Sequence, residues 1–367
     1  MLYYLSDLRN FFGPLRLFDY VTFRAGGAAF TAMMFAFIFG PLTVQLLKKL
    51  NATAPSRHDG LIPAEFIDRA KDKTPSMGGL LIVAAIALST TLWAVPTNPL
   101  VPVFLGTLLC LCGLGFLDDY AKVARRCRDG VSGRLKLYFQ FAIAMCAVFF
   151  LMSAHQTGDF MFSFMLPLTA EPLFSGVTGG LVSFVVGVFV VVGASNAVNL
   201  TDGKDGLAAG SIIFSAMAYA VFAYVCGHLV FSEYLKVPFI PGSSEVVVFA
   251  AALVGAATGF LWYNCHPASM FMGDTGSLAL GGSIGLIAVL VRQELVLALI
   301  GGVFVMEALS VIIQVTSFKL TGKRVFLCAP IHHHFERKGW TETQIVTRFW
   351  ILAGIFAVLG LATLKLR

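Results

Sequence analysis

In the stretch "GFLDDYAKV", Gly115–Val123, two carboxylates stand side by side at the end of an uncharged apolar run. Adjacent residues on a helix project ~100° apart, so Asp118 and Asp119 need not serve one ligand. At a helix C-terminus both would face the negative end of the macrodipole, at a cost of a few tenths to ~1 kcal/mol. One relief is an i,i+4 pair between Asp118 and Lys122. The other is a hard cation such as Mg²⁺, which takes oxygen ligands, commonly one or two carboxylates plus substrate phosphates.

Other polar clusters have related chemistry. In "NLTDGKDGLAAG", Asn199–Gly210, glycines permit tight turns around Asn199, Asp202 and Asp205. Asp205 alone reads as an N-cap; the three together read as a polar turn, without the spacing of an EF-hand. In "FMGDTGS", Phe271–Ser277, Asp274 or Thr275 is placed to cap the next helix. A helix N-terminus is an anion site, so an acid there can hold a metal while the helix end holds phosphate. His332, His333 and His334 lack the i,i+4 spacing of a helical zinc pair. As imidazole donors they fit phosphate better. Glu307 falls near the middle of an apolar run, where an ionisable group is a functional candidate by default; Gln314 follows on roughly the same face.

The elements that must position these groups are membrane spans. The chain has 367 residues, 57% hydrophobic and 13% charged; soluble domains carry about 25% charged residues. Apolar runs near the ~20 residues of a spanning helix recur throughout. They read as 26–48, 77–95, 100–117, 137–153, 179–197, 207–226, 245–262, 276–291, 295–318 and 346–364. The chain is thus expected to be one all-α polytopic transmembrane catalytic domain, 1–367, with about ten spans. Residues 1–22 form an interfacial segment, because they lack the regions of a signal peptide.

Arg9, Arg16, Arg24, Lys236, Arg292, Lys365 and Arg367 fall on one side of this topology, and the rest of the 26 Lys and Arg on the other. The positive-inside rule makes the second side cytoplasmic and both termini periplasmic. Much of the charge on Lys71, Lys73, Lys122, Arg125, Arg126, Arg128, Arg134 and Lys136 simply obeys that rule. The seven Cys show no disulfide or zinc framework. All five polar clusters fall on the cytoplasmic side. Acids, Gly turns, histidines and lysines on one membrane face suit Mg²⁺-dependent chemistry between a phosphorylated substrate and a lipid. An ion-coupled transporter would place its charges at the midplane, commonly with inverted repeats; of these features only Glu307 is present.

Together "TPSMGG", "FLDDYAKV", "NAVNLTDGKDGLA", "FMGDTGSLALGG" and "APIHHHFERKGW" resemble the phospho-N-acetylmuramoyl-pentapeptide transferases, over about Tyr20 to Arg367. The resemblance implies transfer of phospho-N-acetylmuramoyl-pentapeptide from UDP-MurNAc-pentapeptide to undecaprenyl phosphate, giving lipid I and UMP. It implies Mg²⁺, a homodimer, the bacterial inner membrane and a cytoplasmic site without nucleic acid. By motif, Asp118, Asp119 and Asp274 match the catalytic acids, with Asp274 and Asp118 at the metal. Asn196, Asn199, Asp202 and Asp205 match the nucleotide-site turn. Phe271, Gly273 and Asn264 match the uracil region. Lys71, Ser76, Lys122, Lys136 and Gln314 match substrate positions, and His332, His333 and His334 the histidine loop, with His333 as a catalytic candidate. A related transferase acting on UDP-N-acetylglucosamine is the alternative. The sequence departs from the family at Ser76 (usually Thr), Lys73 (usually Gly) and Lys204 (usually Leu).

Overall fold

The computed structural model describes residues 1–50, 52, 74–125, 130–154, 158–169 and 171–366. In hydrocarbon every backbone N–H and C=O must be satisfied within its own segment, so apolar runs become helices. The helices are α1 (Val21–Lys49), α2 (Gly79–Trp93), α3 (Leu100–Arg125), α4 (Gly133–Ser153), α5 (Gly158–Met161), α6 (Gly176–Thr201) and α7 (Leu207–Cys226). They continue with α8 (Leu229–Leu235), α9 (Ser244–Asn264), α10 (Gly273–Leu290), α11 (Leu297–Ile300), α12 (Gly302–Thr321), α13 (Ile331–Arg337) and α14 (Glu342–Ala362). A two-stranded antiparallel ribbon, β1 (Phe164–Met165) with β2 (Pro172–Phe174), precedes α6. The chain is an all-α polytopic membrane protein. Among the described residues nine helices are long and apolar enough to cross a membrane.

Four expectations need adjustment. The span read as 77–95 is the 15-residue α2, which rises ~22 Å against a hydrocarbon core of ~30 Å. The run 295–318 breaks into α11 and α12 at the adjacent Gly301 and Gly302, residues that weaken a helix interior. The interfacial segment is two 3-10 helices, Leu2–Asn10 and Gly13–Asp19, separated near Gly13 and Pro14. Most important for the site, α3 does not end at residue 117. It runs on to Arg125, with Lys122 and Arg125 in its last turn, where cations favour the helix dipole. Asp118 and Asp119 are therefore interior helical residues.

Helix α10 is the axis of the fold. All of its residues are buried, and it packs chiefly on α6 and α3, then on α2 and α7. Gly276, Gly281 and Gly285 let neighbouring backbones come close, the packing mode of helices in lipid. Another close approach is at Gly115 of α3, where a Cβ would overlap the Asp274 carbonyl. That contact sets the distance from Asp118 and Asp119 to Asp274. At the opposite end of the bundle the buried Arg24 clasps Glu245 through two hydrogen bonds of 2.6 Å, and Glu245 also accepts the Val95 N–H at 2.9 Å. This tie joins α1, α9 and the end of α2.

Gly115→Ala should cost about 1–3 kcal/mol, the usual penalty of overpacking. Its apparent Tm in detergent should fall, whereas Gly106→Ala, on the same helix with open space around it, should leave Tm unchanged or higher.

Candidate active site

Carboxylate oxygens of Asp118, Asp119 and Asp274 lie within 4.8 Å of one another, and all three residues are buried. Three carboxylates so close require compensation. Lys122 supplies part of it, with Nζ 2.5 Å from Asp118 Oδ2, 3.1 Å from Asp274 Oδ2 and 3.8 Å from Asp119 Oδ1. Lys136 reaches Asp274 Oδ2 at 2.5 Å and Asp118 Oδ2 at 3.7 Å. Among the described residues, two ammonium groups stand among these three acids. The donors are hard oxygens, so the set fits a cation of the Mg²⁺ type.

The three acids are held in different ways. Asp119 Oδ2 accepts both the Thr275 backbone N–H at 2.9 Å and the Thr275 hydroxyl at 2.7 Å. Thr275 is the third residue of α10, so Asp119 caps that helix from α3. The first N–H of α10, at Gly273, is taken by Asp202 Oδ2 at 3.1 Å. Gly273 has φ +73°, in the region that favours glycine, and a Cβ there would meet Asp119 and the Ser76 hydroxyl. The expected cap from Asp274 or Thr275 is absent: α10 has no capping side chain of its own. Asp274 instead accepts from Asn199 at 2.7 Å, and Asn199 also donates to Ser277 at 2.9 Å. Asp118 Oδ1 accepts the Val131 N–H at 2.9 Å, while Oδ2 faces the lysines.

The turn between α6 and α7 joins this cluster to the histidines, one residue at a time. Asp202 reaches α10, as above. Gly203 packs on His332, where a Cβ would lie 2.6 Å from Nε2. The Lys204 ammonium sits 2.5 Å from Glu336 and 4.0 Å from Glu342. Asp205 accepts from Ala268 N–H at 3.2 Å and pairs with His266 Nδ1 at 3.0 Å. Asp205 is thus not the cap of α7; Gly206, at φ +78°, holds that position. The charge added by Lys204 is matched by Glu336, which belongs to the histidine motif. His332 Nδ1 meets Glu307 at 3.0 Å, so Glu307 is half of a buried pair and not a lone midplane charge. His333 Nδ1 lies 2.9 Å from Glu336.

Other motif residues lie further out. Asn196 donates to Gln140 at 2.9 Å. Asn264 bridges the Gly206 N–H and the Met270 carbonyl. Phe271 exchanges backbone bonds with Pro75 and Gly78, seating the Ser76 loop against α10. Gln314 clamps the backbone of Val325 and Phe326, and His334 Nδ1 accepts the Leu327 N–H. Lys71 lies outside the described residues. Sequence reasoning passed over His266, Glu336 and Glu342. Glu336 stood inside a quoted motif and His266 lies five residues before another; Glu342 merely opens a span and gave no signal.

Burial pushes the His333 imidazole down; Glu336 pulls it part of the way back, and His332 and Lys204 oppose that, leaving it at about 4. Burial pushes Glu336 up, but the His333 hydrogen bond and Lys204 outweigh it and hold the carboxyl at about 2. At neutral pH a neutral His333 donates its Nδ1–H to a Glu336 carboxylate. An imidazole whose folded value is depressed takes its proton first in the unfolded chain. Its contribution is therefore flat above the ordinary 6.5 and turns against folding as pH drops from 6.5 to about 4; Glu336 adds a further loss from 4.5 down to about 2. Nitrogen NMR of labelled histidine should show His333 neutral at pH 5.5, and Lys204→Met should move its titration upward.

A family model described as glycosyl transferase family 4 matches residues 101–292, from α3 through α10. That range holds all three acids and both lysines and stops before Glu307 and the histidine helix. A relative from Methylacidiphilum infernorum (isolate V4), named phospho-N-acetylmuramoyl-pentapeptide-transferase, is 45% identical over 368 residues, covering all of both chains. The chain belongs to glycosyl transferase family 4 and, within it, to the phospho-N-acetylmuramoyl-pentapeptide transferases.

Proposed function

We propose that the chain transfers phospho-N-acetylmuramoyl-pentapeptide from UDP-MurNAc-pentapeptide to undecaprenyl phosphate, forming lipid I and releasing UMP. The reading is carried by the three acids and two lysines gathered at the N-terminus of α10. Phosphoryl transfer depends mainly on positioning and charge stabilisation, and this cluster provides both. An oxygen of the lipid phosphate attacks the β-phosphorus of the UDP-sugar, and the bond to the leaving UMP breaks. Asp118, with one oxygen anchored by Val131 and the other toward the lysines, takes the remaining proton of the lipid phosphate, whose pKa is about 6. Asp119 is a positioning residue, since both its strong hydrogen bonds go to α10. Lys122 and Lys136 are the cations that the pyrophosphate meets.

The metal we assign is Mg²⁺; Asp274 and Asp118 would hold it, and it would supply charge neutralisation to the phosphates. Asn199 orients the Asp274 carboxylate. Ser76, Asn196, Asp202, Asp205, Asn264, Phe271, Gly273 and Gln314 belong to the substrate side, with Lys71 assigned there from its motif alone, and His332, His333 and His334 to its rim. The site faces the cytoplasm of the bacterial inner membrane, both termini are periplasmic, and residues 1–367 act as one catalytic domain in a homodimer.

The test is UMP release with UDP-MurNAc-pentapeptide and undecaprenyl phosphate. Asp274→Asn and Asp118→Asn should each lower kcat by about 10²-fold or more, the scale of removing one preorganised electrostatic group. Asp119→Asn should lower kcat and apparent Tm together, because it weakens the cap on α10. Turnover of UDP-N-acetylglucosamine alone would overturn the substrate. A radiolabelled covalent enzyme formed without lipid would replace direct attack by an aspartyl-phosphate route.

A further inference from the structure

Helix α13 has two occupied faces. His332, His333 and Glu336 turn toward Glu307 and Lys204. Ile331 and Phe335, one turn apart, line a groove of about 330 Å³ on another side. Met306 of α12, Trp340, and Arg348 and Leu352 of α14 contribute to its remaining walls. Except for Arg348 the wall is apolar. Helices α12 and α14 are both membrane-spanning by length and hydropathy, and Ile351 of α14, which also lines the groove, is exposed, as an apolar residue facing lipid would be.

Charge at this corner is segregated. The acids are committed inward: Glu336 to Lys204 and His333, and Glu342 to Lys204 and the Asp205 N–H. The cations Lys338 and Arg348 are exposed, and among the described residues neither has a carboxylate within ion-pair distance. The Arg348 guanidinium lies 4.0 Å over the Trp340 ring. Arg348 is six residues into α14 from Glu342, a rise of ~9 Å, the depth at which headgroups meet acyl chains. Arg–indole pairs at that level are the anchors of a membrane interface.

We propose that this groove binds an anionic phospholipid, with one acyl chain against Phe335 and Leu352 and the phosphodiester on Arg348. Guanidinium recognises phosphate through paired N–H donors, and basic residues beside a span attract anionic lipid. The occupant is a bulk phospholipid, not the reacting polyprenyl phosphate, because α13 stands between this groove and the faces that hold Glu307 and Lys204. A lipid here forms the back wall of the helix that carries His332 and His333.

Native mass spectrometry of the full-length protein tests this, after delipidation and addition of phosphatidylglycerol or phosphatidylcholine with identical chains. Phosphatidylglycerol should be retained about fivefold better, the preference one cation near an anionic surface confers. Arg348→Ala should abolish that preference and Arg348→Lys should keep most of it. Leu352→Trp, which fills the groove, should lower retention of both lipids. Phosphatidylglycerol with brominated chains should quench the wild type more than Trp340→Phe. Unchanged lipid preference in Arg348→Ala would overturn the proposal. So would displacement of phosphatidylglycerol by an equal amount of undecaprenyl phosphate, which would make this the acceptor's site. A change of oligomeric state in Leu352→Trp with lipid retention unaltered would make it an interface between copies.

Discussion

The site depends on the hydrogen bonds that Asp119 accepts from Thr275. A helix that begins inside a protein leaves its first N–H groups without intrahelical partners, and α10 has no cap of its own. Asp119 from α3 takes one of these groups and Asp202 from the end of α6 takes another. Carboxylates at a helix N-terminus also gain from its dipole. One requirement of backbone chemistry thus draws three distant segments to a point and delivers Asp118 and Asp274 beside each other. The glycine at 115 is the steric counterpart, since only a bare Cα lets α3 come close enough for Asp119 to reach.

Charge is then balanced in two linked shells. Near α10, Lys122 and Lys136 stand among the three carboxylates. Further along the same turn, Lys204 has two acids around it, and Glu336 in turn accepts from His333, which burial keeps neutral. The turn at residues 202–205 belongs to both shells, because successive residues face α10, His332, Glu336 and His266. A path of direct contacts therefore runs from the histidine helix to the N-terminus of α10. Lys204, which stands where the family usually carries Leu, is the residue that makes this path ionic in this chain.

Much of this was legible in the sequence because hydrophobic length and basic-residue asymmetry are strong signals in membrane proteins. The sequence placed α7 at its observed bounds and located all three acids of the cluster. What it missed depends on contacts between segments. The end of α3 was set too early because apolarity stops at Leu117, while the helix continues on its dipole and on Lys122. Asp205 and Asp274 looked like local caps, because a cap donated by another helix leaves no trace in local spacing. Glu307 seemed to stand alone at mid-span, as its partner His332 lies 25 residues away. The short α8, the β1–β2 ribbon and the break at Gly301 all lie where hydropathy averages over opposing tendencies.

The unequal surroundings of the paired acids answer why a chain would set two carboxylates together. Had both faced the lysines, their repulsion would have fallen on one small volume, and α10 would have lacked a partner for its third N–H. Turning Asp119 into the helix N-terminus removes one carboxylate from that competition at no loss of hydrogen bonds. Asp118 keeps one oxygen on a backbone N–H and leaves the other among ammonium groups, where an incoming phosphate must compete for the same cations. An arriving anion that draws Lys122 or Lys136 toward itself therefore uncovers the Asp118 oxygen it faces. In the reaction proposed above, the two lysines would thereby link phosphate binding to the proton that Asp118 takes.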